Sequence, residues 1–268
     1  MPIAQVGDIN MYYRVYGEGE PLVLIMGHGM DARSWVFQTP EFSKEYQVIG
    51  FDNRGVGRTD APDSPYSIAM MADDTAGLMD ILGIEKAHIL GVSMGGMIAQ
   101  EFALKYPHRV KSLILATTAA RSPSEGVGAL ASIFITEEGV SQETRIRKLL
   151  PNIYTDKFFE NSEQVQRVVD AMLANPNPQP AYAAARQGDA AAQHDTRDRL
   201  GQITAPTLVL VGKEDIVLPV KLSEELAEGI PNAELVVLEG GGHGFNFEIP
   251  DKFNQAVLDF LVKVRGKG

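Results

Sequence analysis

Two periodicities alternate along most of this 268-residue chain. Short runs of aliphatic and β-branched residues at 11–16, 22–26, 47–51, 87–90, 112–116, 207–211 and 234–238 predict strands. Between them, stretches at about 34–45, 67–82, 95–106, 219–229 and 250–264 carry apolar residues at helical spacing. In the second, Ile68, Met71, Ala72, Thr75, Leu78, Met79 and Leu82 share one face, and Gly83 supplies the stop. Strands that are apolar throughout are expected to be covered on both sides. The pattern therefore predicts an α/β fold, a mostly parallel twisted sheet between two layers of helices. Residues 2–17 read as an antiparallel meander at its edge.

The alternation breaks between Arg121 and Ile203. This segment is rich in alanine, shows no strand pattern, and has helical periodicity at 130–135, 146–150, 165–173 and 182–185. Asn175-Pro176-Asn177-Pro178-Gln179-Pro180 separates two of these stretches. The expected organisation is a core of 1–120 and 204–268, with 121–203 inserted as an all-helical lid. Such a block is placed over the strand ends, where open α/β sheets bind ligands. The alternative is a helical decoration without a role.

Chemistry enters at Gly91-Val92-Ser93-Met94-Gly95-Gly96, between the strand at 87–90 and a helix carrying Met97, Ile98, Phe102, Ala103 and Tyr106 on one face. A strand that reverses into a helix within two residues strains the middle residue and tolerates only small neighbours, hence glycine two positions to either side of Ser93. The result is an exposed hydroxyl over a helix N-terminus, a nucleophile elbow. A serine that merely caps the helix is the alternative, so the elbow needs a base and an acid.

Of five histidines, His88 lies within a strand, His108 follows Tyr106-Pro107 on a turn, and His194 sits in the helical insertion. His243 stands in Gly240-Gly241-Gly242-His243-Gly244, after the last strand and before the last helix, where its imidazole can reach across to a neighbouring strand end. Asp215 follows the strand at 207–211 in Gly212-Lys213-Glu214-Asp215, one strand earlier, and Pro219 opens the next helix. Glu214 satisfies the same spacing. A weak hydroxyl nucleophile needs such an oriented base. The order Ser93, Asp215, His243 is that of an α/β-hydrolase triad. Charge on a carbonyl oxygen also needs preorganised donors. The backbone amides of Met94, after the nucleophile, and Met30, in Gly27-His28-Gly29-Met30, are the expected oxyanion hole.

Composition narrows the partners. Net charge is −11 with a pI of about 4.9, so nucleic acid and anionic membrane surfaces are not expected partners. Cysteine is absent, which excludes disulfides, thiolate metal sites and a cysteine nucleophile. No apolar run is long enough to span a bilayer, no signal-peptide pattern precedes Leu22, and a cytoplasmic location is the expectation. A competing pattern exists: Gly27-His28-Gly29-Met30-Asp31-Ala32 fits the dinucleotide fingerprint, with Asp52 where a ribose-binding acid would stand. That reading leaves the elbow, Asp215 and His243 without a role.

The segments His28-Gly29, Asp52-Asn53-Arg54-Gly55-Val56-Gly57-Arg58-Thr59-Asp60, the elbow, Gly212 to Pro219 and Gly242-His243 together resemble a capped serine hydrolase of the α/β-hydrolase superfamily over essentially the whole chain. Within it the chain is most similar to small carboxylesterases and 3-oxoadipate-type enol-lactonases. The resemblance implies Ser93 as nucleophile, Asp215 as orienter, His243 as base, the amides of Met30 and Met94 as oxyanion donors, and no cofactor or metal. It implies structural roles for Asp52 and Arg54. The three-glycine run before His243 departs from the pattern and is expected to loosen that loop. His28, Trp35, Met97, Ile133 and Phe134 are expected to line the pocket. Phe158, Phe159 and Met172 belong to the lid, more as its core than as pocket wall. No arginine cluster marks a carboxylate clamp, although Arg121, Arg145, Arg147 and Arg186 could reach inward. The expected substrate is thus a neutral short-to-medium ester, with a lactone as second choice. Carbon–carbon bond hydrolysis, perhydrolysis and non-enzymatic ligand-binding signalling stay open, as does a homodimer. Aspartate-dependent dehalogenation is disfavoured by serine at the nucleophile position.

Overall fold

A computed structural model describes residues 2–123 and 139–266. Eight strands, β1 (Ile3–Val6), β2 (Ile9–Tyr16), β3 (Glu20–Ile25), β4 (Tyr46–Phe51), β5 (Ala87–Val92), β6 (Val110–Ala116), β7 (Thr207–Gly212) and β8 (Ala233–Leu238), form one sheet. Their order is β1-β2-β4-β3-β5-β6-β7-β8. Only β1–β2 and β2–β4 pair antiparallel, which makes the expected meander the sheet's edge; every later pair is parallel.

Along the central strands consecutive side chains enter opposite cores, which is why those strands are apolar without alternation. Val23, Ile25, Ile89, Leu113 and Val209 face one core, with helices α2 (Ile68–Ile81), α3 (Met94–Lys105) and α8 (Val220–Gly229) on that side. Leu22, Leu24, Leu90, Ile114 and Leu208 face the other, against Trp35, Phe42, Phe245 of the short helix α9 (Phe245–Glu248), and α10 (Pro250–Arg265). Ser67 caps α2 by accepting from the Met70 amide at 3.1 Å. The continuous helix expected over 34–45 is instead a 3₁₀ turn, Ala32–Trp35, and a single α turn, α1 (Thr39–Phe42). Pro40 has no N–H to extend a helix begun earlier, so the chain restarts there.

Between β6 and β7 the described residues form four helices: α4 (Gln142–Ile153), α5 (Asp156–Phe159), α6 (Ser162–Leu173) and α7 (Ala181–Ala192). Arg121 and Asp195 pair as an isolated bridge where this insert leaves and rejoins the core. The expected helical stretch at 130–135, with Ile133 and Phe134, lies outside the described residues. Among the described residues no helix is long and apolar enough to cross a membrane.

The segment Asp52–Asp60 is internally tied. Asp52 is fully buried and accepts from the Ala32 amide (2.8 Å), the Arg58 amide (2.9 Å) and the Arg58 guanidinium (2.8 and 2.9 Å). These bonds occupy both carboxylate oxygens. Arg54 makes a buried two-point pair with Asp74 of α2, at 2.6 and 2.7 Å.

Two histidines outside the rim of the sheet bear on stability. Burial pushes His88, which contacts Ser112 Oγ at 2.8 Å, and His194 down to about 4. Between that value and the ordinary histidine pKa of about 6.5, the unfolded chain binds protons that the folded chain does not. Stability must therefore fall as pH drops from 6.5 toward 4, by up to about 2.7 kcal/mol per pH unit where both rings titrate. Urea midpoints measured from pH 7 to pH 4.5 check this; a flat midpoint across the window contradicts it.

Candidate active site

The parallel registers bring the carboxyl ends of β5, β6, β7 and β8 to one rim, with Val92 beside Ala116, Ala116 beside Leu210, and Gly212 beside Leu238. Ser93 follows β5 directly, at φ 55° and ψ −121°, and heads α3. That left-handed φ is costly for a residue with a Cβ and holds only where the surroundings enforce it. Here they do. The Ser93 amide donates to Ala116 O at 3.0 Å. Glycines let three backbones meet: a Cβ on Gly91 would stand 2.2 Å from Gly95 O, and one on Gly95 would stand 2.1 Å from Ile25 O. One on Gly96 would reach within 2.5 Å of Thr118.

His243 Nε2 lies 3.1 Å from Ser93 Oγ, and its Nδ1 lies 3.0 Å from Asp215 Oδ2. Asp215 is a carboxylate, so Nδ1–H donates to it and Nε2 is left to accept the serine proton. The other Asp215 oxygen accepts the amides of Val217 (2.8 Å) and Leu218 (2.9 Å). Burial raises the Asp215 pKa, but attraction to His243 and hydrogen bonds from His243, Thr117 and Leu218 outweigh it, holding the group below the usual carboxylate range. The neighbouring Glu214 does something else: it accepts the amides of Gly240 (3.1 Å) and Gly241 (3.0 Å), fastening the loop that carries the histidine.

The glycines of that loop are not there for looseness, contrary to expectation. Gly240 takes φ +84°, but Gly241, Gly242 and Gly244 are places of close approach. A Cβ on Gly242 would be 2.8 Å from Ile153 O, and one on Gly244 would be 2.6 Å from the Tyr154 ring. The loop is strapped to the end of α4: Gly244 N donates to Ile153 O (2.8 Å), while Glu248 accepts the amides of Gly242 (3.0 Å) and Thr155 (3.1 Å).

Sequence reasoning missed Thr117. It directly follows β6 at φ 43°, donates its hydroxyl to Asp215 Oδ2 and sits 3.2 Å from His243 Nδ1. Only its place just past an apolar strand, on the same rim, could have marked it. On the opposite side of Ser93, the Gly27-His28-Gly29-Met30 turn closes with the Met30 amide donating to Gly27 O at 3.3 Å. Met94 is the first residue of α3, where a backbone N–H has no acceptor within the helix.

These groups open on a cavity of about 150 Å³. His28, Met30, Met94 and Met97 line it from the core, and Leu149, Leu150, Ile153, Tyr154 and Met172 from the insert. No aspartate, glutamate, lysine or arginine lines it among the described residues. Trp35, expected in the pocket, is 1% exposed and packs in the core with Phe42. The 3₁₀ turn begun by Asp31, whose carboxylate accepts the Arg33 amide at 2.8 Å, rotates it inward. Phe158 stacks on Tyr154 at 4.0 Å and meets Phe159 edge-on, so both belong to the insert's own packing. Arg147 pairs with Glu143 and Gln166 on the surface, and Arg186 reaches Asp63 at 3.3 Å. Among the described residues no group of three His, Asp or Glu side chains is placed to hold a metal ion.

The chain matches the family model described as alpha/beta hydrolase fold over residues 20–250. RutD of Azorhizobium caulinodans, a protein named for carbamate hydrolysis, is 34% identical across 98% of this chain and 99% of its own. The enol-lactonase of Burkholderia xenovorans LB400 superposes with a TM-score of 0.86 at 31% identity, covering 97% of this chain and 100% of that one. A thermophilic esterase of Thermogutta terrifontis does so at 0.83 and 32%, covering 97% and 96%. An eight-stranded sheet with this strand order, a helical insert after β6, and that match over most of its length make this chain a member of the α/β-hydrolase family.

Proposed function

We propose that this hydrolase cleaves carboxylic esters with uncharged, short-to-medium acyl groups through an acyl-enzyme on Ser93. The observation that carries the reading is a hydroxyl–imidazole–carboxylate line, 3.1 and 3.0 Å, opening on an apolar cavity that no Asp, Glu, Lys or Arg among the described residues lines. Ser93 Oγ attacks the ester carbonyl as His243 Nε2 takes its proton. The oxyanion rests on the amides of Met94 and Met30, the latter exchanging its long turn bond for the substrate oxygen. His243 returns the proton to the leaving alkoxide, then deprotonates the water that releases the acid. Asp215 holds the Nδ1–H tautomer and stabilises the imidazolium.

The names of the relatives support the reaction class: carbamate, enol-lactone and ester each present a carbonyl with a heteroatom leaving group. The cavity wall supports the substrate class. A carboxylate bound there would lose water and find no lysine or arginine among the described lining residues, a cost of several kcal/mol. Methionines at 30, 94, 97 and 172 adapt to varied acyl shapes.

A panel of chromogenic esters of graded acyl length, run beside lactones with and without a carboxylate, tests this. The expected result is a maximum among neutral acyl chains, with kcat/KM for acid-bearing analogues lower by at least about 100-fold, a difference of about 2.7 kcal/mol. A maximum on the acid-bearing lactone contradicts it.

A further inference from the structure

The insert does more than roof the cavity. Gln187 lies in the middle of α7, within the insert, yet is fully buried against the core. Its Oε1 accepts the Gly29 amide at 3.0 Å and the Gln179 side-chain amide at 3.0 Å, while its Nε2 donates to Arg54 O at 2.8 Å. One turn earlier, Ala184 O meets His28 Nε2 at 2.8 Å. A helix of the insert therefore grips two consecutive residues of the loop that faces Ser93. That loop starts hard against the nucleophile, since a Cβ on Gly27 would stand 3.1 Å from Ser93 Cβ.

The grip falls on the central peptide of a turn. Residues 27–30 form a β-turn closed by Met30 N to Gly27 O, with Gly29 third at φ +70°. A turn with left-handed glycine in that position differs from its commoner relative by a flip of the central peptide, here His28–Gly29. Flipping reverses the Gly29 N–H, while the closing bond from Met30 N–H to Gly27 O is common to both turns. Gln187 Oε1 accepts Gly29 N–H in one of the two arrangements only. The flip would leave a buried acceptor short of a partner and bury an unpaired N–H, a penalty of about 1–3 kcal/mol for each.

We infer that Gln187 is a positioning residue for the oxyanion donor: the insert, through this one amide, holds the Gly29 peptide and with it the place of the turn that presents the Met30 N–H beside Ser93. The inference rests on the serine-hydrolase reading for the meaning of the oxyanion hole, but not on any particular ester. Misplacing a donor by a fraction of its hydrogen-bond length weakens the transition state and leaves ground-state binding intact.

The test is the rate at which an alkyl fluorophosphonate labels Ser93, followed by intact mass. The Oγ–P bond forms, the P–F bond breaks, His243 takes the proton, fluoride leaves, and the phosphonyl oxygen occupies the oxyanion hole. No ester turnover is required, so a protein that labels yet hydrolyses none of the ester panel would defeat the substrate reading without touching this one. Gln187→Met removes the acceptor at similar length and is expected to label at least about 10-fold more slowly than the parent. Gln187→Asn withdraws the amide by one methylene, is expected to label as slowly, and serves if the methionine variant does not fold. Gln187→Glu, protonated by burial, restores both an acceptor and a donor and is expected to label within about threefold of the parent. On any hydrolysed ester the first two should lower kcat with KM within about twofold. Parent-like labelling by folded Gln187→Met or Gln187→Asn, or a rise in KM with kcat unchanged, overturns the inference.

Discussion

Ser93→Ala is expected to keep its fold and lose at least about 10⁵-fold in kcat for the best ester of the panel. The two halves of that expectation have separate causes. The Ser93 side-chain contact with His243 is the one the proposed chemistry consumes, and the amide that anchors the elbow to Ala116 O belongs to the backbone. Alanine pays the same left-handed φ as serine, so the melting temperature should move by no more than a few degrees. What remains is the rate that binding and the oxyanion hole supply alone, about 10³–10⁴ over water. Turnover within tenfold of the parent would show that a different group attacks.

Gly95→Ala should have the largest effect on folding. In the interior of a helix, alanine is ordinarily favoured over glycine by about 1 kcal/mol. Here the added Cβ would stand 2.1 Å from Ile25 O and 2.8 Å from Met26 O, backbone atoms at the end of a central strand. Neither can move without displacing β3 from its pairings with β4 and β5. The expected loss is at least about 3 kcal/mol, read as a fall in the urea midpoint or as recovery only in the insoluble fraction. Gly201→Ala is the control, because nothing lies within 4 Å of its added Cβ. Its midpoint should stay within about 1 kcal/mol of the parent. Equal behaviour of the two variants would show that the elbow is not packed as described.

The sheet was legible in the sequence because buried parallel strands need apolar residues on both faces, and few other structures do. Ser93 was marked by glycines at 91 and 95, which the close approaches of β3, β5 and α3 explain. Choosing between Glu214 and Asp215 was beyond spacing, since both follow β7. The choice lies in three dimensions, where one carboxylate meets the His243 ring and the other meets the amides of Gly240 and Gly241. Trp35 misled because its position depends on whether 34–45 is one helix, and Pro40 made it two turns. The glycines around His243 suggested freedom, whereas Gly242 and Gly244 mark contact with the insert at Ile153 and Tyr154. Thr117 and Gln187 were invisible for a common reason: each acts on residues far along the chain, Asp215 and Gly29, and neither has a local pattern.

Rapid quench of the protein with excess p-nitrophenyl butyrate, followed by intact mass and peptide mapping, tests the central claim most directly. Covalent catalysis predicts a transient mass gain equal to one butyryl group replacing one proton, confined to the peptide that contains Ser93 and absent from Ser93→Ala. Full ester turnover with no acylated species at any quench time, or acyl label on another residue, would contradict the account.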